Sequence, residues 1–181
     1  MKVYVQQYCA LGRQYLLIKS IYMMAENAAH NRRSIDEKQT TGGARMIAII
    51  DYDAGNIKSV EKALHYLGEE TVVSRDPQVL LSADKVILPG VGSFGDAMNN
   101  LNKFGLVPVI RELTEKGTPF LGICLGLQLL FESSDETPGV EGLGILKGKI
   151  VKIPPAPGLK IPHMGWNSIK IKDGSRLFKG V

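Results

Sequence analysis

Four short apolar runs, IAII at 47–50, TVVS at 71–74, KVIL at 85–88 and PFLG at 119–122, are separated by stretches with helical spacing. Runs this short and this continuous suit strands buried on both faces. Strands alternating with helices predict an α/β fold, an open and mostly parallel sheet flanked by helices with right-handed crossovers. In the first intervening stretch Asn56 is read as an N-cap. Val60, Ala63, Leu64 and Leu67 recur at helical spacing, and Gly68 is the stop. A short helix or turn is expected around 76–84, and helices over 96–101, 107–116 and 125–132. After Pro138 the pattern changes. ILKGKIVKIP and WNSIKIK read as strands joined by the Pro- and Gly-rich loop PAPGLKIPHMG, an antiparallel addition to the sheet.

The chain has 181 residues, 44% apolar and 22% charged, enough for one globular domain. Its net charge of +4 is local: residues 1–45 carry seven Lys/Arg against three Asp/Glu, and residues 46–181 carry fifteen of each. The body is neutral, so a nucleic-acid-binding face has no charge to support it. Cys9 and Cys124 are the only two cysteines, too few for a disulfide framework, and a reducing cytoplasm is the expected setting. No apolar run reaches the ~18 residues of a membrane span, and YLLIKSIYMMA is broken by Lys19. The Gly42-Gly43 pair marks a linker before Met46. Residues 1–45 are accordingly expected to be a mobile extension or an upstream read-through of the gene, with the folded domain over 46–181.

Within that domain the cysteine stands between glycines, in GICLGLQ at 122–128, where a strand is expected to turn into a helix. In an open parallel sheet, function gathers at the C-terminal strand ends. A nucleophile on a cramped strand-to-helix turn needs small neighbours, as in the Gly-x-Ser-x-Gly elbow, and Gly122 and Gly126 meet that need. The N–H groups of the following helix favour a thiolate, and that of Leu125 is placed to stabilise an oxyanion. The motif alone fits a buried structural thiol equally well. A second glycine-rich stretch, LPGVGSFGDAM at 88–98, exposes backbone N–H groups after another strand and can supply the other half of an oxyanion hole. It matches G-x-G-x-x-G, but after the third strand, and no ribose-binding acid follows at the right distance.

GICLGLQLLFE resembles the nucleophile motif of the class I (triad-type) glutamine amidotransferases. With IAIIDYDAGNIKSV, PGVGSFGDAM and HMGWN in this order, residues 46–181 resemble the glutamine amidotransferase subunits of imidazole glycerol phosphate synthases. The resemblance implies a flavodoxin-like fold, Cys124 as nucleophile, and an oxyanion hole from Gly90, Val91, Gly92 and Leu125. It further implies glutamine contacts by Gln128 and by Glu132, taken to lie one turn beyond Gln128 on the same helix face. No metal or cofactor is implied. The partner is a (β/α)₈-barrel cyclase subunit in a heterodimer, with Asn56, His163, Met164, Gly165, Trp166 and Asn167 at the contact. The family takes its base and orienting acid from a His-Pro-Glu segment, which this sequence lacks; the domain is expected to stop before that dyad and to be C-terminally incomplete. His30, His65 and His163 are not read as substitutes. Two other readings stay open: a non-catalytic module that keeps the partner surface, and another cysteine hydrolase on the same fold.

Overall fold

The computed structural model describes residues 46–155 and 157–158 and, within the first 45 residues, the backbone of two strands, β1 (Tyr4–Val5) and β2 (Tyr15–Ile18). The central sheet has β3 (Met46–Ile50), β4 (Glu70–Ser74), β5 (Lys85–Leu88) and β6 (Phe120–Gly122) in the order β4-β3-β5-β6, all parallel. Four of the expected strands therefore form the expected sheet. The connections are α1 (Ile57–Tyr66), α2 (Pro77–Ser82), and α3 (Phe94–Lys103) with α4 (Leu106–Glu115); α5 (Leu125–Leu129) follows β6.

The period of two along β3 divides the core. Ala48 and Ile50, with Val86 and Leu88 of β5, pack under α2 to α5 against Leu80, Phe94, Met98, Leu101, Leu106, Ile110, Leu113 and Leu129. Ile47, Ile49 and Ile87 point to the other face, where right-handed crossover places α1. That helix is less covered than its spacing suggests. None of its residues is fully buried, Ala63 is exposed, and Leu67 just beyond it is 71% exposed. Asn56 precedes the helix in the left-handed region (φ 69°) and its side chain makes no cap bond, so it is not the expected side-chain N-cap. Gly68 does stop α1, with φ 77° and its N–H on the His65 carbonyl.

One expectation about the C-terminal part of the domain is corrected. The strand expected over ILKGKIVKIP forms as β8 (Lys149–Lys152), but it belongs to a second sheet, ordered β1-β2-β8-β7 with β7 at Ser133–Ser134. β8 runs parallel to β7 and antiparallel to β2, with Tyr15 opposite Lys152 and Leu16 opposite Val151. Through β2, backbone of the first 45 residues pairs with β8. The expected strand WNSIKIK and the segment His163 to Asn167 lie outside the described residues. Among the described residues no helix is long and apolar enough to cross a membrane, and no cluster of acidic, His and Cys side chains could hold a metal ion.

Candidate active site

β6 ends beside β5, where the Ile123 N–H donates to the Leu88 carbonyl at 2.9 Å. The next residue reverses the chain. Cys124 has φ 61° and ψ −126°, a region that costs a non-glycine residue about 1–3 kcal/mol. That conformation lets the chain enter α5 at once: the N–H groups of Leu127 and Gln128 donate to the Cys124 carbonyl at 3.0 and 3.3 Å, and that of Gly126 to Ile123 at 3.0 Å. The thiol residue is half-buried at the C-terminal edge of the sheet.

The glycines around it are required by space, not by φ. A Cβ on Gly126 would run into the Leu88 carbonyl oxygen, and one on Gly122 would meet Leu127 Cα at 2.6 Å. A Cβ on Gly90 would meet the Tyr52 hydroxyl at 2.5 Å, the Gly126 nitrogen at 2.9 Å and Leu125 Cβ at 3.0 Å. The loop after β5 and the start of α5 therefore lie directly against each other. Tyr52 is 1% exposed, and its hydroxyl donates to the Pro89 carbonyl at 2.7 Å. Gly92 has φ 103°, which favours glycine. Beyond it, Ser93 caps α3, while Glu136 and Thr137 accept the N–H groups of Phe94 and Gly95 at 2.9 and 3.2 Å.

A strained cysteine on a glycine-locked elbow, faced by a second glycine loop, matches one family by sequence as well. The family model for class I glutamine amidotransferases matches residues 48–181. The chain belongs to the class I glutamine amidotransferases. It is 53% identical over 137 residues to the imidazole glycerol phosphate synthase subunit HisH of Moorella thermoacetica, covering 76% of this chain and 64% of that protein. It is 55% identical over 134 residues to HisH of Aquifex aeolicus, covering 74% and 64%. HisH 1 of Methanococcus maripaludis is 49% identical over 140 residues, covering 75% and 68%. The chain thus spans roughly two thirds of the length of these relatives. A crystal structure of a glutamine amidotransferase superposes with a TM-score of 0.51 at 23% identity, over 58% of this chain and 55% of that one, a likeness of fold.

In this amidotransferase the elbow brings Cys124, Leu125 and Gly126 against Gly90, with Val91 and Gly92 next along the loop. Gln128 is buried in α5. Glu132 is not where the sequence spacing put it. α5 ends at Leu129, so Glu132 is not one turn beyond Gln128 on a helix face. Its two carboxylate oxygens are engaged with Lys147 Nζ at 3.0 Å and the Gly148 N–H at 2.9 Å. These contacts, the Gly148 N–H foremost, hold its carboxyl below the usual range. The helix beside Cys124 is only five residues long, Leu125–Leu129, too short to carry a long helix dipole. His65 lies at the far end of α1, within 2.8 Å of Thr71 Oγ1 near the N-terminal end of the sheet, opposite the elbow.

Two residues beside the site, Tyr52 and Glu136, escaped the sequence reading, and so did the ion-pair centre Arg75. Tyr52 joins the end of β3 to the Pro89 loop; the available signal was a tyrosine at a buried strand end, whose hydroxyl needs a partner. Burial, and next to it the charge of Cys124, push its phenol well above the usual value. Glu136 closes the N-terminus of α3 from a loop 42 residues away in sequence, which no local pattern announces. Arg75 holds Asp51 at 2.6 Å and Asp53 at 2.7 Å and lies 4.3 Å from the centre of the Phe104 ring. Burial works to raise the Asp51 carboxyl, but the bonds from Arg75 and the Asp53 N–H outweigh it and hold the group below its usual 3.8.

Proposed function

We propose that this chain is the glutaminase subunit of an imidazole glycerol phosphate synthase, with residues 46–181 as its amidotransferase domain. The carrying observation is the positive-φ elbow that presents Cys124 to the Gly90–Gly92 loop. Cys124 Sγ attacks the side-chain amide carbon of glutamine. The oxyanion that forms is met by backbone N–H groups of Leu125 and of Gly90, Val91 or Gly92. Collapse expels ammonia and leaves a glutamyl thioester, which water cleaves to glutamate and the free thiol. Gln128 contacts the bound glutamine. A base must take the thiol proton and pass it to the leaving nitrogen, and no described histidine is near enough to do so.

The relatives' names support the next step. The ammonia passes to a (β/α)₈-barrel cyclase bound as a heterodimer, which makes imidazole glycerol phosphate and an aminoimidazole carboxamide ribonucleotide for histidine biosynthesis in the cytoplasm. Asn56 and the residues from His163 to Asn167 are assigned to that contact by the sequence resemblance alone. Two measurements test the reading. The glutamine analogue 6-diazo-5-oxo-L-norleucine should add mass at Cys124, and excess glutamine should suppress it. In a chain continued through the family's His-Pro-Glu segment, with the cyclase added, Cys124→Ala should abolish glutamine-dependent product while ammonia-dependent product persists. Labelling indifferent to glutamine, or glutamine-dependent product from the alanine variant, would sink the assignment.

A further inference from the structure

The glutaminase chemistry needs the Pro89–Gly92 loop in one form, and the loop has little to hold it from within. Gly90 and Gly92 impose few backbone limits, and Val91 is 46% exposed. What holds the loop comes from the segment after β3. The Tyr52 hydroxyl bonds the Pro89 carbonyl at 2.7 Å in a buried setting. Three residues on, Gly55 is packed so closely that a Cβ there would meet Val91 Cγ2 at 2.7 Å. The peptide is planar and trans, so a fixed Pro89 carbonyl also fixes the direction of the Gly90 N–H on the opposite edge. The hydroxyl reaches this carbonyl at the point where Gly90, Leu125 and the Gly126 amide converge beside Cys124.

We propose that Tyr52 is a positioning residue: its hydroxyl pins the Pro89 carbonyl and so holds the oxyanion-binding loop in register with Cys124. The role rests on the glutaminase reading and belongs to the hydroxyl, since the ring would fill its space equally well in phenylalanine. The hydroxyl also suits the task chemically. Burial and the nearby cysteine charge keep its proton in place, so it remains a donor throughout the working range of pH.

The test is Tyr52→Phe in the full chain, with three readouts. Hydrogen exchange followed by mass spectrometry should quicken about tenfold in the peptide spanning 89–92, while β3 and β5 keep their protection. With the same substitution in a chain continued through the family's His-Pro-Glu segment, glutamate release with the cyclase present should fall in kcat by at least about tenfold, the scale of partly losing an oxyanion donor, with KM within about twofold. In the wild-type protein, NMR should show a slowly exchanging Tyr52 hydroxyl proton close to Gly90, a measurement that needs no folded variant. Unchanged exchange at 89–92, exchange that rises evenly over the whole sheet, or a hydroxyl proton that exchanges freely would each overturn the proposal. Wild-type protein that does not take the diazoketone at Cys124 would count against the glutaminase reading instead, and the exchange and NMR results would still decide whether Tyr52 holds the loop.

Discussion

Gly126→Ala is the most direct trial of the glycine lock. Gly126 is not among the positive-φ residues, so alanine meets no backbone strain there, and inside a helix it would gain up to about 1 kcal/mol over glycine. Sterics oppose this. The new methyl would overlap the Leu88 carbonyl oxygen and lie 2.7 Å from its carbon, where ordinary contact begins at 3.4 Å. A strand carbonyl cannot rotate aside as a side chain can, so β5 and α5 must part by more than about an ångström. Overpacking of this kind costs about 1–3 kcal/mol, and a clash with backbone belongs at the upper end. The net loss is then about 2 kcal/mol, or roughly 4–8 °C in Tm for a chain this size. The same movement stretches the bond from the Gly126 N–H to Ile123 and opens the turn at Cys124. Circular dichroism melting reads the first effect, and the rate of Cys124 alkylation by iodoacetamide reads the second. Gly139→Ala is the control: φ is 85° but nothing lies within 4 Å, so only strain of about 1 kcal/mol is expected, with no change in alkylation. A Gly126→Ala protein that melts at or above the wild-type temperature, with an unchanged thiol rate, would refute the packing argument.

Two further outcomes follow from the same geometry. Cys124→Gly should melt about 2–4 °C above Cys124→Ala, because glycine accepts φ 61° and alanine does not; the reverse order would mean that the elbow relaxes without its cysteine. Arg75→Met removes the partner that helps hold Asp51 ionised. A depressed carboxyl contributes stability above its unfolded value and loses it as pH falls through the folded one. Wild type should therefore exceed the variant slightly at pH 6, and the difference should close below pH 3.8, an order that urea midpoints across pH would check.

The sheet was legible because its signal is local. Each strand is an apolar run set off by turn residues, and the thiol elbow announces itself through two glycines. The end of α5 was not legible, for a reason outside its own segment. Leu127, Leu129, Leu130 and Phe131 are all buried, so hydrophobicity continues past the helix without marking where it stops. What stops it is the distant stretch 142–146, whose N–H groups from Leu143, Leu146, Gly144 and Gly142 donate to the carbonyls of Leu129, Leu130, Phe131 and Glu132 at 2.8–3.2 Å. Those are the carbonyls a longer helix would use for itself. Asn56 misled for a related reason: a side-chain cap needs an extended backbone, and here the residue is in a left-handed turn after Gly55. Tyr52 was present in the reading as part of DYDAGN, but a spacing argument carries no information about a carbonyl 37 residues away.

The strand that Tyr15–Ile18 adds to β8 has a consequence for how copies of this chain meet. An open β8 edge would be a template for any extended backbone, and its Val151, 42% exposed, adds an apolar contact to the invitation. The chain's own β2 fills that place, antiparallel, with Leu16 opposite Val151 and Tyr15 opposite Lys152. In dilute solution each molecule closes its own edge. Over Val151 and Lys152 the edge is thus already paired from within the chain when a second copy arrives.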